Sequence, residues 1–423
     1  MQKHNSLIEK ISYIFIWIAI LMAFPFSVAQ AYNLPAKALI TFSFLILFLI
    51  AIIFIEKIKV NSTMSIIFLI QLVMVLILYF LHSDSSYINL FLQLSITLII
   101  YIILNNYINQ DVFVTRLMYF ILIMSALGVI TFILCIAFNV SYFSEFQNPD
   151  GRTGYNFILN FTNTFFDIRT AKIIRPAGFF DEPGTLAFYI IIAIILNDLT
   201  ISNKKIRTSL FFCGIFTLSI AFYAISTLYM LLRFKSKYIK KTIVFSTITI
   251  IIGMGIYSQI DESKKSILYG YTFERIGSFF SSDNGNSSSY FNGDNRSDLI
   301  ELSKVAIRQS PIIGVGISYA SKSGTIFFGK FMGANFLGIF AVHGLLGGLI
   351  LSLHILYYGW ICFRTNRFGL EIKSFMIYFL MLLQRPDYIG GILPYVSVVV
   401  LIYITKNYYK IRYEQNFNYN SSL

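Results

Sequence analysis

The apolar residues of this chain come in long unbroken blocks, not in the alternating or one-faced patterns of soluble strands and helices. Blocks near 11–29, 36–55, 63–82, 87–104, 116–138, 184–200, 242–258, 334–362, 372–384 and 391–405 are almost free of charge. A helix that crosses a bilayer needs about 20 such residues. The polar positions between the blocks are distributed unevenly. Lys57 and Lys59, Lys204, Lys205 and Arg207, the run from Arg233 to Lys241, Arg364 to Lys373 and the tail from Lys406 to Arg412 all fall on one side when Met1 starts inside. The short loops opposite carry only Lys37 and Arg385. Short basic loops stay in the cytoplasm, so this bias sets the orientation. Segment 208–232 lies between two basic stretches, and a single crossing would strand one of them outside. It reads as a hairpin of two short helices that turns at Thr217-Leu-Ser219. The chain is therefore expected to be an all-α polytopic membrane protein with about 12 transmembrane helices and both termini inside. Lys3 and Lys10 precede an apolar run that ends in Ala29-Gln-Ala31, which also resembles a signal peptide. An uncleaved first helix is the reading adopted here, and cleavage leaves the remaining threading unchanged.

Composition agrees with this pattern: 57% of the 423 residues are hydrophobic and 13% charged, with a mean hydropathy of +0.71. No soluble domain hides that much apolar surface. The net charge of +13 does not call for nucleic acid, because most lysines sit in the inside loops that orientation already explains. Arg152, Arg169, Arg175, Arg275, Arg296, Arg308 and Arg385 lie outside in this threading, and orientation does not require them. Cys135, Cys213 and Cys362 fall in or beside apolar blocks, and the long outer loops contain no cysteine, so no disulfide framework is implied. The four histidines show no spacing with cysteine or carboxylate of the kind that binds metal. No metal and no cofactor is expected.

Two outer connections are long, 139–183 and 259–333. They divide the chain into N-terminal membrane helices (1–138), a first outer loop (139–183), central membrane helices (184–258), a second outer loop (259–333), and C-terminal membrane helices with a cytoplasmic tail (334–423). Long loops in a compact protein either work or wander. Ser281 to Asn295 is rich in Ser, Asn, Gly and Asp and cannot bury enough surface to order itself. From Arg296 to Ser310 apolar residues recur at 299, 302 and 306 and at 300 and 307. This spacing predicts an amphipathic helix that starts at Asn295 with Asp298 and stops at Pro311, with Arg296 in its first turn and Arg308 near its end. Pro311-Ile-Ile-Gly-Val-Gly316 is a side-chain-poor bend in which Gly314 and Gly316 let backbone amides approach a ligand, or simply form a turn. The stretch from Gly333 to Phe363 is too long for one straight crossing, and a break near His343-Gly344 is expected.

The most informative segment is Arg175-Pro-Ala-Gly-Phe-Phe-Asp-Glu-Pro-Gly-Thr185, which puts a guanidinium and two carboxylates at the mouth of an apolar block. Each ionised side chain within a bilayer costs about 2.5–3.5 kcal/mol on insertion scales. Arg175 can form a salt bridge with Asp181 or Glu182 that fixes the loop, or its fork can capture phosphate. Asp181 and Glu182 can complement the dipole of a helix that begins at Pro183, or one of them can act as general base toward a sugar hydroxyl. His343 is either a helix-break histidine bonded to backbone or an acid, base or pyrophosphate ligand. Asn335 can cap locally. Arg385-Pro-Asp-Tyr388 can pair internally or complete an anion pocket.

Arg175-x-x-Gly178-x-Phe-x-Glu182-Pro183-Gly184, then Arg296, the amphipathic helix, Pro311-x-x-Gly314-x-Gly316, Asn335 and a Gly-rich helix resemble the bacterial O-antigen and capsule repeat-unit polymerases of the Wzy type. The resemblance covers most of the chain. It implies a GT-C-like membrane glycosyltransferase in the bacterial cytoplasmic membrane with an outward-facing site. Such an enzyme moves a growing glycan from undecaprenyl pyrophosphate onto a new lipid-linked repeat, without nucleotide sugar or metal. The expected partners are undecaprenyl-pyrophosphate-linked oligosaccharides, membrane lipid and a chain-length regulator. The related O-antigen ligases usually have His before the matching Asn, and here Ala334 stands there, which favours polymerase over ligase. His343-Gly344 occupies the place where many of the polymerases carry an acidic residue before Gly. The alternative from another class is a transporter or flippase of the same lipid-linked sugars. It calls for charge along the midplane of the spans.

Overall fold

The computed structural model describes residues 2–53, 62–138, 140–147, 153–157, 160–168, 171–233, 262, 295–321, 335–365, 369–384 and 391–420. The expected span 242–258, Arg385 and Tyr388 lie outside them. The first half holds helices α1 (Gln2–Met22), α2 (Val28–Ala31), α3 (Ala36–Ile53), α4 (Ser62–His82), α5 (Ser86–Asn106) and α6 (Gln110–Phe138). Within it, Ala36–Ile53, Thr63–His82, Ser86–Asn106 and Gln110–Cys135 are each long and apolar enough to cross a membrane. Phe42, Leu45, Phe48, Leu49 and Ile52 of α3 are exposed, and Leu47 and Ala51 are buried, which suits a helix with one lipid-facing side. The protein is membrane-embedded. Because α5 and α6 both cross, residues 83–85 and the segment that follows α6 lie at one end of the bundle, and 107–109 at the opposite end.

The segment after α6 corrects the all-α expectation. It folds as a four-stranded antiparallel meander, β1 (Ser144–Gln147), β2 (Thr153–Phe157), β3 (Asn160–Ile168) and β4 (Ala171–Gly178), in the order β1-β2-β3-β4. Its registers include Phe146 opposite Gly154, Tyr155 opposite Thr162 and Phe165 opposite Ile174. Thr, Phe, Tyr and Ile suit a pleated, half-buried surface, and Phe146 covers Gly154, where an added Cβ would meet the ring at 2.5 Å. Strand β4 packs on α6 and on α7 (Pro183–Leu199), so the sheet delivers Arg175 to the top of the bundle. Apart from Gly184, every residue of α7 is buried, including its whole apolar run. A helix that is apolar all round belongs in the interior.

The expected hairpin is present as α8 (Lys204–Ile215) and α9 (Ile220–Arg233), with a turn at Phe216–Leu218. Asn203 caps α8, its side chain accepting from the amides of Lys205 and Ile206. At the foot of the hairpin the buried Asp198 of α7 accepts from Arg207, from Arg233 Nε (3.2 Å) and from the Tyr229 hydroxyl (2.7 Å). Removing one partner of such a buried pair costs about 3–5 kcal/mol because the other charge is left uncompensated.

The C-terminal half contains α10 (Asn295–Gln309), α11 (Ile317–Ser321), α12 (Gly338–Leu351), α13 (Leu353–Thr365), α14 (Leu370–Gln384) and α15 (Ile392–Asn420). Helix α10 matches the helical spacing, with Ser303 and Ala306 buried and Leu302 and Ile307 packed beside them. Helices α12 and α13 are together long and apolar enough for a broken span or a re-entrant loop, and are bent by 40° where they meet. The break at Gly344 is as expected, with φ 70° and ψ 175°. The bend at Ser352 is additional. There the Gln71 amide donates to the carbonyls of Ile350 (3.2 Å) and Leu351 (2.9 Å), and Tyr395 OH donates to Leu351 (3.3 Å).

The Gly344 break is filled by the Pro311–Gly316 bend. The amides of Val315 and Gly316 donate to the carbonyls of Ala341 (3.0 Å) and Val342 (2.9 Å), and those of Leu345 and Leu346 donate to Pro311 (2.8 Å) and Ile312 (3.3 Å). Away from water each unmet backbone group costs several kcal/mol, so this exchange is what permits the break. A Cβ on Gly344 would lie 2.1 Å from the Ile312 carbonyl oxygen, and one on Gly314 would lie 2.3 Å from the Gly344 nitrogen. Gly178 also has positive φ, but its nearest neighbours to an added Cβ are side chains at 3.5 Å. Gly178→Ala should therefore cost only about 1–2 kcal/mol of left-handed strain. Gly344→Ala should cost several kcal/mol more and lower the melting temperature of detergent-solubilised protein by far the larger amount. Equal melting of the two variants would contradict this account of the break.

Candidate functional site

The sequence elements at the start of α7 are held by two other parts of the chain. The α1–α2 break pairs with 179–181: Ser27 N donates to the Phe179 carbonyl (2.9 Å) and Asp181 N to the Pro25 carbonyl (2.8 Å), with Phe26 bridged to Phe180. Phe26, Phe180 and Tyr189 stack with centroids 4.7 and 4.8 Å apart. On the other side the buried Arg175 reaches the hairpin turn. Its Nε donates to the Thr217 carbonyl (3.2 Å), and its Nη2 donates to Thr217 (3.1 Å) and Leu218 (3.1 Å). Leu218 sits at φ 50° to present that carbonyl. The forked edge of the guanidinium is thus set on the hairpin, a partner that neither sequence reading of Arg175 named.

Asp181 and Glu182 are 8% and 7% exposed. Glu182 has extended backbone at the N-cap of α7, with Pro183 following, and its carboxylate does not cap the helix amides. Asp181 Oδ1 accepts from the Thr185 hydroxyl. Both carboxylates stand where the α7 dipole favours negative charge. Gly178, buried at φ 64°, lets β4 turn toward α7. One knot therefore gathers Arg175, Gly178, Asp181 and Glu182 at the end of the bundle where the sheet sits. A buried guanidinium and two buried carboxylates within one short segment are groups that can bind an anion and orient or deprotonate a hydroxyl.

The other expected residues gather in a second group. Helix α10 packs on α12, α11 on α5 and α12, and α12 on α4, whereas β4 and α7 pack with α6 and α7 also with α8, α9, α14 and α15. His343 Nδ1 meets the Tyr87 hydroxyl (3.3 Å), and Tyr87 stacks on His82 at 5.7 Å. His82 Nε2 donates to the Ile313 carbonyl (3.0 Å). His343 is bonded to a tyrosine at a helix break and not placed among the residues around Arg175. Asn335 accepts from Leu337 N (3.0 Å) and donates to Ser303 (3.0 Å), a local cap plus a tie to α10. The amides of Gly314 and Gly316 are bonded to Ser310 and Val342, so the bend serves the helix break in place of a ligand. Arg308 is exposed on α10, and Arg296 lies in its first turn. Both groups lie at the same end, because the 311–318 segment touches His82 and Asp84 beside the α4–α5 loop.

Family models, curated proteins and solved structures were compared with the chain, and none matches. Among the described residues no group of three or more His, Cys, Asp or Glu is arranged to hold a metal ion.

Sequence reasoning missed His82, Asp84, Tyr87 and the Asp198 cluster. Asp198 was visible as an acid inside an apolar block, with Arg207 and Arg233 in the flanking basic stretches. Asp84 was visible as a cap signal in His82-Ser-Asp-Ser-Ser86. Asp84 accepts from Ser86 N (2.9 Å) and Ser318 N (2.7 Å) and from the Ser318 hydroxyl. Burial pushes its carboxyl pKa up, but the bonds from Ser318 and Ser86 outweigh burial and hold it below the ordinary aspartate value. A carboxyl with a depressed folded pKa stabilises the fold above its unfolded pKa of ~3.9 and loses that contribution as pH falls through the folded value. Acidification below about pH 4 should therefore lower the melting temperature through a component that Asp84→Asn removes. An identical acid profile in that variant would rule out the tie between the α4–α5 loop and α11.

Proposed function

We propose that this chain is a membrane glycosyltransferase of the O-antigen and capsule polymerase type. The observation that carries the reading is the knot at the start of α7, which buries Arg175, Asp181 and Glu182 together at one end of a membrane bundle. On this reading the chain makes about 12 crossings in a GT-C-like arrangement in the bacterial cytoplasmic membrane, and the end bearing the sheet faces outward. Undecaprenyl-pyrophosphate-linked oligosaccharide approaches from the lipid, with its pyrophosphate near Arg175 and the arginines of the two outer loops. Pyrophosphate is already a competent leaving group, so electrostatic stabilisation of its developing charge supplies the main catalytic term. Glu182 or Asp181 holds the attacking hydroxyl of the acceptor sugar and takes its proton as the glycosidic bond forms and the lipid pyrophosphate departs.

Arg175 does two jobs on this account. Its Nε and Nη2 hold the hairpin turn, and its positive charge faces the pyrophosphate. The transporter reading draws on ionised groups within the bundle, but Asp198, Arg207 and Arg233 are paired with one another at the foot of α8–α9, which is the pattern of a structural clamp.

Loss of the protein should convert long surface glycans into single repeats, read as collapse of the polysaccharide ladder on a gel. Unaltered chain length would dispose of the polymerase reading. Glu182→Gln or Asp181→Asn should lower polymerisation by about 10²-fold or more if that carboxylate is the base. Arg175→Lys should impair polymerisation and loosen the hairpin, because an ammonium cannot span the Thr217 and Leu218 carbonyls as the fork does. Full activity of Arg175→Lys would argue against any need for the fork.

A further inference from the structure

At the end of the bundle opposite the sheet, α13 and α15 carry a cluster of cations and aromatic rings that the proposed reaction does not use. The course of α15 places it there. Gly391, just before that helix, lies against the α1–α2 break, where an added Cβ would come within 3.2 Å of the Phe24 carbonyl oxygen, and Lys406 is about 20 Å further along the helix. Lys406 Nζ donates to the Tyr357 hydroxyl of α13 (3.2 Å) and lies 5.4 Å from the centre of the same ring. Tyr357 stacks with Trp360, their centroids 5.8 Å apart, and the Arg364 guanidinium lies over the Trp360 ring at 5.2 Å. One cation therefore sits at each ring of an aromatic pair.

Neither cation is neutralised: among the described residues no carboxylate pairs with Arg364 or Lys406. A ring attracts a cation through its quadrupole but brings no net negative charge. Arg364 is exposed, and on the same helix Leu356, Trp360 and Phe363 are 51%, 53% and 56% exposed. Residues three and four apart share a helix face, so these three make an apolar stripe that leads to the cations. A free phosphate would meet the charges and leave the stripe bare. A phospholipid matches both, with its phosphate at the cations and an acyl chain along the stripe. A zwitterionic headgroup carries its own ammonium, whereas an anionic one brings the net charge that the cluster lacks. We propose that Tyr357, Trp360, Arg364 and Lys406 form a binding site for the headgroup of an anionic phospholipid. The site stands apart from the transferase reading and does not depend on it.

The test uses purified full-length protein in detergent, melted across titrations of phosphatidylglycerol, phosphatidylcholine and inorganic phosphate. Phosphatidylglycerol should raise the melting temperature saturably and by more than phosphatidylcholine, and inorganic phosphate should not reproduce the effect. Arg364→Gln and Lys406→Gln should each raise the half-saturating phosphatidylglycerol concentration by about fivefold. Arg116, which lies over the Tyr13 ring at 4.5 Å near the start of α6, is a cation at the same end but outside the cluster, and Arg116→Gln should leave the titration unchanged. If Lys406→Gln does not fold, Arg364→Gln decides, because it alters an exposed side chain. Equal stabilisation by the two lipids overturns the site in favour of a general interfacial anchor. An equal response to inorganic phosphate overturns a lipid as the occupant. An Arg116→Gln effect as large as that of Arg364→Gln also overturns the site, since net charge alone then accounts for the attraction.

Discussion

A guanidinium removed from water must spend its donors on fixed acceptors, and in this chain that requirement joins three distant parts of the polypeptide. Arg175 leaves the sheet, lies beside the start of α7, and puts Nε and Nη2 onto the carbonyls of Thr217 and Leu218. Hydrogen bonds to a charged donor contribute about 1.5–3 kcal/mol each, so the contact fixes the turn of a hairpin whose helices pack on α6 and α7. The foot of that hairpin is fastened by Asp198 to Arg207 and Arg233. With both ends pinned, α8 and α9 form a wall beside α7, and the segment 175–182 has a fixed surface to rest on. The carboxylates of Asp181 and Glu182 then hold their positions because the backbone around them is paired with Pro25 and Ser27.

The same logic recurs wherever the helices are interrupted. A bilayer offers no water to an unpaired amide or carbonyl, so irregular backbone survives only where another segment supplies partners. The Gly344 break is met by the Pro311–Gly316 bend, the Ser352 bend by Gln71 and Tyr395, and the end of α1 by residues 179–181. Glycine is needed where two such backbones touch, as at Gly314 and Gly344, because a Cβ there would overlap main-chain atoms.

Much of this was legible in the sequence because it follows from short-range rules. Apolar block length marked the crossing helices α3 to α6, the 299/302/306 spacing marked α10, and the charge on either side of 208–232 marked the hairpin. The length of the apolar stretch 333–363, too great for one straight crossing, with His343-Gly344 inside it, marked the break. The meander was not read, although Thr153–Phe157 and Asn160–Ile168 carry strand-type residues, because an outer loop was assigned no order of its own. The partners of Arg175 were not legible either. Sequence shows that a buried arginine needs acceptors, but carbonyls more than forty residues away leave no mark of their own. Similarly, Gly314-x-Gly316 is compatible with a ligand turn or a packing turn, and only its amide partners decide between them. His343 reads from the sequence as an acid or base, yet its neighbour is Tyr87, in the first turn of α5, which no motif singled out.

The two groups at the sheet-bearing end suggest a division of labour. The α7 knot carries the charge that suits pyrophosphate and the carboxylates that suit a hydroxyl, while the α4–α5 loop, α10 and α12 build a rigid floor around the broken helix. The measurement that bears most directly on this account is a reconstituted assay in which purified protein in lipid vesicles receives a single lipid-linked repeat unit, with products separated by mass. The account predicts a lipid-linked dimer of repeats with an equal amount of released undecaprenyl pyrophosphate. Translocation of the repeat across the vesicle without formation of a new glycosidic bond would contradict it.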